Sequence, residues 1–277
     1  MRLVAVGLLA AVAAALSWLA TREIFANAVF ARRNYRGVDV PVGAGVLLAV
    51  AAIAVQAVLA VTDTSTDTFA DSAVLVASLG FCLLGLVDDV AATGDDRGFR
   101  GHLRAMARGT LTTGGLKLAG GGLLALAVVS LTGEDRLGVL VLDALLIALS
   151  ANVANLFDRA PGRTIKVGVV AAAALFATAG VVDRHLLVGV AAVVGAAVGL
   201  LAFDLREQLM VGDAGSNVIG SALGLGVVLT TAPATRVVVL IVVVAVNLAS
   251  EKVSFSRVID RVGPLRVADR LGRRPAR

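Results

Sequence analysis

The feature of this 277-residue chain that most constrains its fold is a series of nine long apolar segments. Most of them approach the roughly 20 residues that an α-helix needs to cross a bilayer. A backbone in lipid must satisfy its own hydrogen bonds, so continuous apolar runs predict helices and exclude a membrane β-barrel. We therefore predict an all-α polytopic membrane protein with about nine transmembrane helices. The segments are residues 3–20, 42–61, 69–87, 112–131, 137–157, 167–182, 186–203, 218–229 and 237–250.

The composition agrees with a membrane protein and removes other classes. Apolar residues make up 58% of the chain and charged residues 16%, against roughly 45–50% and about 25% in soluble domains. This balance excludes a disordered chain, a coiled coil and a partner that is nucleic acid, although the net charge is +5. The single cysteine, Cys82, excludes an internal disulfide and a cysteine metal cluster.

The basic residues are distributed unequally between the connecting segments. If the apolar segments alternate in direction, 20 of the 25 lysines and arginines lie on one side. The positive-inside rule then places the N-terminus outside and the C-terminus in the cytoplasm. We predict a multi-pass protein of the cytoplasmic (inner) membrane, with one helical domain at residues 1–250 and a basic cytoplasmic tail at 251–277. The alternative, a cleaved signal peptide at residues 1–20, would translocate the basic segment 21–41.

One connecting segment carries a helical pattern of its own. At about 100° per residue, Arg97, Arg100, Arg104 and Arg108 share one face of a helix. The pattern predicts a short amphipathic helix on the inner leaflet. Two roles stay open for it, which are the binding of anionic membrane lipids and the guidance of a phosphorylated lipid substrate.

Three polar clusters fall at the predicted cytoplasmic ends of spans that are far apart in sequence. They are Asp88 and Asp89 at the end of the third span, Asn152, Asn155 and Asp158 at the end of the fifth, and Gly212-Asp213-Ala214-Gly215-Ser216 at the start of the eighth. Each cluster taken singly is explained by helix capping or by solvent exposure. Because all three share one membrane face, we predict that they form one site.

The chemistry that fits these residues is magnesium-assisted phosphoryl transfer. Mg²⁺ prefers oxygen ligands and is typically held by one or two carboxylates together with substrate phosphates. Asp88, Asp89 and Asp213 are therefore the predicted metal ligands and catalytic residues. The metal would offset the repulsion between an anionic acceptor and an anionic diphosphate.

Other polar residues have both a structural and a functional interpretation. Lys117 either contacts a phosphate or extends its ammonium group to the membrane interface. The backbone N–H groups near Gly212 and Gly215 are candidates to hold a phosphate at the start of a helix. Asp143 and Asn247, which lie within spans, are predicted to make hydrogen bonds between helices.

Four motifs in this order resemble the polyprenyl-phosphate N-acetylhexosamine-1-phosphate transferase family, which is glycosyltransferase family 4 and includes phospho-N-acetylmuramoyl-pentapeptide transferase. The resemblance covers about residues 32–260. The motifs are Val40-Pro41-Val42-Gly43-Ala44-Gly45, Gly85-Leu86-Val87-Asp88-Asp89, Asn152-Val153-Ala154-Asn155-Leu156-Phe157-Asp158 and Gly212-Asp213-Ala214-Gly215-Ser216.

The resemblance implies a reaction and its participants. The phosphate of an undecaprenyl-type lipid attacks the sugar-proximal phosphorus of a UDP-sugar, UMP leaves, and a lipid-linked sugar diphosphate forms for cell-wall or other envelope glycans. It implies Mg²⁺ at Asp213, with Asp88 and Asp89 at the metal and the lipid phosphate. The residues expected at the nucleotide and its phosphates are Asn152, Asn155, Asp158, Gly212, Gly215, Ser216, Lys117 and Arg163. Homodimerisation is an expectation by family analogy.

The sequence also departs from the family pattern, so we interpret it as a divergent member. Pro161 stands where the family usually has a carboxylate near the nucleotide base, and Met210 stands where many members have an aromatic residue. The late histidine-rich motif is absent, and Arg163, Arg257 and Arg261 are candidates to replace it at phosphate. These departures keep open an inactive descendant that binds a lipid-linked precursor or scaffolds envelope assembly. A secondary transporter is the third alternative, but it predicts carboxylates near mid-bilayer.

Overall fold

The computed structural model describes residues 1–62, 68–91, 108–109, 112–180 and 183–274. Within these residues the chain forms nine long helices, and each overlaps one predicted apolar segment. They are α1 (Arg2–Phe25), α2 (Val46–Val61), α3 (Thr68–Ala91), α4 (Thr113–Ser130), α5 (Leu137–Phe157), α6 (Arg163–Thr178), α7 (Val188–Leu205), α8 (Gly212–Thr230) and α9 (Pro233–Ser250). The segment 97–107, where most of the amphipathic helix is predicted, lies outside the described residues.

Smaller elements join and follow the long helices, including two 3-10 helices at Ala28–Phe30 and Asp183–Leu187. A two-stranded antiparallel hairpin, β1 (Ala31–Arg33) and β2 (Asp39–Pro41), connects α1 to α2 and departs from the all-α prediction. Two short helices, α10 (Phe255–Arg261) and α11 (Gly263–Arg270), occupy most of the predicted basic tail. The sequence analysis did not predict these helices, since each is only seven or eight residues long.

Six of the described long helices are long and apolar enough to cross a membrane, namely α1, α3, α4, α5, α7 and α9. The prediction of a helical membrane protein is therefore confirmed in this coarser form, while the count of nine spans and the sidedness stay predictions. α2 is apolar but has only 16 residues. α8 carries several glycines and polar residues, which it tolerates because its neighbours cover it on most sides.

The core is built around α8. This helix packs against α3 and α5 along its length and also contacts α6, α7 and α2. Its buried residues are mostly small, including Gly215, Gly220 and Gly224, so neighbouring backbones approach closely. α1 packs along α7 in the same manner, where a Cβ at Gly195 or Gly199 would overlap the backbone of α1.

Polar contacts join α9 to α5 at two levels. Arg236 donates a hydrogen bond to Asp143 at 2.6 Å, and Asn152 donates one to Asn247, also at 2.6 Å. The side-chain amide of Asn247 in turn donates to the carbonyl of Leu149. The prediction that Asp143 and Asn247 make hydrogen bonds between helices is therefore confirmed.

Candidate active site

The predicted carboxylates converge at one end of the bundle, where α3 and α5 end and α4 and α8 begin. Asp88 and Asp213 lie within hydrogen-bonding range of each other. Lys117 of α4 forms an ion pair with Asp213, with 2.5 Å between Nζ and Oδ2. The side chains of Lys117 and Asp213 are only 16% and 21% exposed, so the pair is largely shielded from water. A lysine and two carboxylates from three helices thus form one compact charged cluster.

Asp89 has a different task from its neighbour. Its two carboxylate oxygens accept the backbone N–H groups of Asp213 and Ala214 at 2.9 and 3.0 Å. A carboxylate at this place satisfies unpaired N–H groups and complements the positive end of the helix dipole. The N–H groups proposed to hold a phosphate therefore bind Asp89 in this structure. Asp89 therefore fixes the position of Asp213 through the backbone, and its carboxylate oxygens do not face the same open space as those of Asp213.

Glycines make this close approach of helices possible. A Cβ at Gly85 of α3 would overlap the backbone of Asp213, and one at Gly45 would overlap the backbone of Gly215. Gly212 has a φ of +67°, and a Cβ there would meet the carboxylate of Asp89. The structure thus gives Gly212 and Gly215 a packing role in which they bring α8 against α2 and α3.

The Asn-rich end of α5 is divided between two environments. The side chain of Asn155 lies within hydrogen-bonding range of Asp213, so it belongs to the charged cluster. Asn152 is one turn away and is bound to Asn247 of α9. Ser216 is fully buried in α8, and its hydroxyl has no hydrogen-bond partner among the described residues.

Asp158, the last residue of the motif, lines a cavity of about 310 Å³ beside the cluster. Loss of hydration, followed by the charges of Asp204 and Asp213, raises the pKa of Asp158 to about 8. The walls come from the β1–β2 hairpin, the segment after α5 and the segment after α7. The lining residues are Arg33, Asn34, Tyr35, Val40, Asp158, Arg159, Ala160, Pro161, Asp204, Glu207, Leu209 and Met210.

Several of these cavity residues were not predicted. Asp204 is buried at the end of α7, and Glu207 binds Asn34 and Arg36 at 2.9 Å. Asp204 carries the same signal that identified Asp88, a carboxylate that closes an apolar span. Tyr35 lines the cavity because of how the hairpin folds over the end of the bundle, and no local sequence pattern predicts that position.

Arg163, predicted at a phosphate, is engaged elsewhere. Its guanidinium donates two hydrogen bonds to Asp269 of α11, at 2.8 and 3.0 Å, and one to Ser256 of α10. The arginine is buried in that contact. Arg257 and Arg261, predicted with it, are exposed on α10.

The residues of the cluster fit a magnesium ion in the chemistry of their donors. Asp88 and Asp213 offer adjacent carboxylate oxygens with one lysine beside them, and one or two carboxylates are the usual protein contribution to a magnesium site. Among the described residues, no group of three or more His, Cys, Asp or Glu side chains forms a candidate metal site. Both carboxylate oxygens of Asp89 accept backbone N–H groups of α8, so Asp88 and Asp213 are the two carboxylates that the cluster offers to a cation.

These features define a class of protein, a polytopic helical membrane protein with a carboxylate and lysine cluster beside a cavity that charged and apolar side chains line together. The sequence profile of Glycosyl transferase family 4 matches residues 72–232, which is more than half of the chain. The chain belongs to this family, as its motifs indicated, and is by family a membrane transferase of sugar phosphates. No curated protein matches the chain.

Proposed function

We propose that this protein transfers a sugar-1-phosphate from a nucleotide sugar, a UDP-sugar by resemblance, to a polyprenyl phosphate. The observation that carries the proposal is the convergence of Asp88, Asp213 and Lys117 beside the 310 Å³ cavity. Phosphoryl transfer depends mainly on positioning and on the stabilisation of negative charge, and this cluster offers both cation ligands and a cation. We place the site on the cytoplasmic face, where most basic residues are predicted to lie.

Each residue of the cluster has a role in the proposed reaction. Asp88 and Asp213 would hold Mg²⁺, and Asn155 would orient the Asp213 carboxylate. When bound, the ion neutralises phosphate charge and polarises the phosphorus centre. Lys117 would bind the diphosphate once substrate competes with its ion pair to Asp213. Asp89 would keep Asp213 in place through the N-terminus of α8.

The cavity is the proposed site of the nucleotide. It presents the ring of Tyr35, the guanidinium groups of Arg33 and Arg159, and the carboxyl group of Asp158. An aromatic ring can stack on a base, the cations can contact phosphates, and a carboxyl oxygen can accept a base N–H group. The lipid phosphate would approach Asp88 from the membrane side of the cluster.

Reconstituted protein tests the proposal directly. Purified protein in lipid vesicles is given undecaprenyl phosphate, MgCl₂ and a panel of radiolabelled nucleotide sugars, and lipid-linked product is counted. We expect transfer that EDTA abolishes and excess Mg²⁺ restores. Asp213→Asn should lower kcat by about 10³-fold, in line with the loss of a principal charge-stabilising group.

The matched control is Asp260→Asn, because Asp260 is an exposed carboxylate on α10. It should transfer at the wild-type rate. Unchanged transfer in Asp213→Asn would refute the site. Binding of polyprenyl phosphate without turnover of any nucleotide sugar would instead favour the non-enzymatic descendant.

A further inference from the structure

One wall of the cavity is the segment 158–162 between α5 and α6, and it is held from α7. The carboxylate of Asp204 accepts the backbone N–H of Gly162 at 2.8 Å. Gly162 has a φ of +70°, and a Cβ there would overlap Leu205. This side of the segment is therefore fixed by a buried hydrogen bond and close packing.

The other side of the same segment is held by the C-terminal helices. Asp269 of α11 accepts two hydrogen bonds from Arg163, and both side chains are only 6% exposed. Arg273 donates to Asp269 at 2.5 Å and also to the carbonyl of Pro161, which lines the cavity, at 2.9 Å. Asp269 thus binds two arginines. Arg163 comes directly after the wall segment in the sequence, and Arg273 binds the Pro161 carbonyl of that segment.

Two further contacts tie the C-terminal helices to α5 and α6, which flank the segment. Lys166 donates to the carbonyls of Ala268, Asp269 and Leu271 at the end of α11, at 3.1, 2.8 and 2.7 Å. The ring of Phe255 stacks on Phe157, with 5.5 Å between centroids. The charges of Arg163, Arg273 and Lys166 all act on the buried carboxylate of Asp269, and buried Asp204 also interacts with Arg273 and Lys166. Loss of the Asp269 charge would leave three cations with one carboxylate near them and would increase the repulsion between them.

We propose that Asp269 is a positioning residue for the nucleotide cavity, acting through Arg163 and Arg273 on the segment 158–162. This inference rests on the proposed function, and it changes the assignment of residues 251–274 from a basic tail to a support that holds one wall of the cavity in place. Among the described residues, Asp269 makes no hydrogen bond or ion pair with Asp88, Asp213 or Lys117. Its influence should therefore fall on the nucleotide and spare the lipid phosphate.

The test uses Asp269→Asn in the full-length protein, with UDP as the probe. The amide keeps the shape of the side chain and removes the charge that both arginines bind. We expect the Kd for UDP to rise about tenfold, a change on the scale of one lost charged hydrogen bond. Amide hydrogen exchange in residues 158–163 should become faster, while the KM for polyprenyl phosphate stays within twofold.

Two variants control for general damage. Asp260→Asn removes an exposed carboxylate on α10, 3.6 Å from Arg270, and should leave both UDP affinity and exchange unchanged. Asp269→Glu keeps the charge and should recover most of the affinity for UDP.

Unchanged exchange in residues 158–163 of Asp269→Asn would overturn the inference, whether or not the protein is a transferase. A lower Tm with an unchanged Kd for UDP would also overturn it, because Asp269 would then only stabilise the fold. If the wild-type protein neither binds UDP nor transfers sugar phosphate, the proposed function fails. Hydrogen exchange in Asp269→Asn still measures whether Asp269 holds residues 158–163, so this failure is distinguished from a failure of the inference.

Discussion

Two groups of buried charges lie at different levels of this bundle, and they are built differently. About 18 Å along α5 separates Asp143 from Asn155, from the 1.5 Å rise per residue. Asp143 is fully buried and pairs with one cation, Arg236, at 2.6 Å. In the other group, Asp88 and Asp213 share one cation, Lys117. A third carboxylate, Asp89, accepts the backbone N–H of Asp213.

The difference lies in charge balance and access. Asp143 and Arg236 neutralise each other, and Arg236 also donates to the carbonyl of Thr231, so the pair fastens α9 to α5. The Asp88 cluster has more carboxylates than cations and adjoins a cavity. A balanced buried pair needs no ligand to neutralise its charge, even though Oδ1 of Asp143 has no hydrogen-bond partner among the described residues. An excess of buried negative charge, in contrast, is relieved by a bound cation. This contrast separates a structural charge from a functional one.

The largest expected effect on stability is at the balanced pair. Asp143→Asn leaves the Arg236 guanidinium without its counter-ion and should lower the free energy of unfolding by about 3 kcal/mol. Thermal unfolding in detergent measures the loss, and the turnover per folded molecule should stay at the wild-type value. The double variant Asp143→Leu with Arg236→Leu is the control, because it removes both charges and should lie within about 1 kcal/mol of wild type. A double variant as unstable as Asp143→Asn would contradict the comparison.

A smaller effect of opposite sign is expected at the unbalanced cluster. Asp88→Asn removes one of two adjacent carboxylates, and the new amide can donate to Asp213. The free energy of unfolding should hold or rise by up to about 1 kcal/mol, while transfer falls by at least about 100-fold. Unfolding temperature and transfer rate are measured on the same preparation. Destabilisation comparable to that of Asp143→Asn would show that the two groups are not different in kind.

The last comparison concerns pH and sets Asp158 against Asp269. The folded protein keeps a proton on Asp158 up to a pKa of about 8, whereas the unfolded chain releases it near pH 4. This group therefore lowers the free energy of unfolding as pH rises through that window. Asp158→Asn should flatten the decline of Tm between pH 5 and 8.

Asp269 should behave in the opposite way. Although burial disfavours its charge, the hydrogen bonds and charges of Arg163, followed by the charge of Arg273, hold the pKa of Asp269 below its usual value. Its stabilisation is present above the unfolded pKa of about 3.9 and is lost only as pH falls through the lower folded value. Asp269→Asn should therefore leave the slope of Tm between pH 5 and 8 unchanged. A changed slope would remove the distinction between the two carboxyl groups.

Each of the nine apolar segments overlaps a long helix in the described part of the chain, because the hydrogen bonds of a helix are local and each segment is long, while nine membrane spans stay a prediction. Placement of the carboxylates at the ends of these segments also followed from the sequence, since a charge at mid-bilayer is costly. The sequence did not predict that Lys117 pairs with Asp213, because a lysine near a helix end can equally well extend its ammonium group to the solvent.

By itself, the sequence determined the helical membrane class, the family motifs and the residues that would gather at one end of the bundle. Only the tertiary structure decided their division of labour, in which Asp89 caps α8, Arg163 binds Asp269, and Asp204 enters the cavity wall. The physical reason is that hydrophobic periodicity is a property of one segment. The partner of a charged side chain depends on which helices meet and at what height, and here glycines such as Gly45 and Gly85 set those contacts across long stretches of chain.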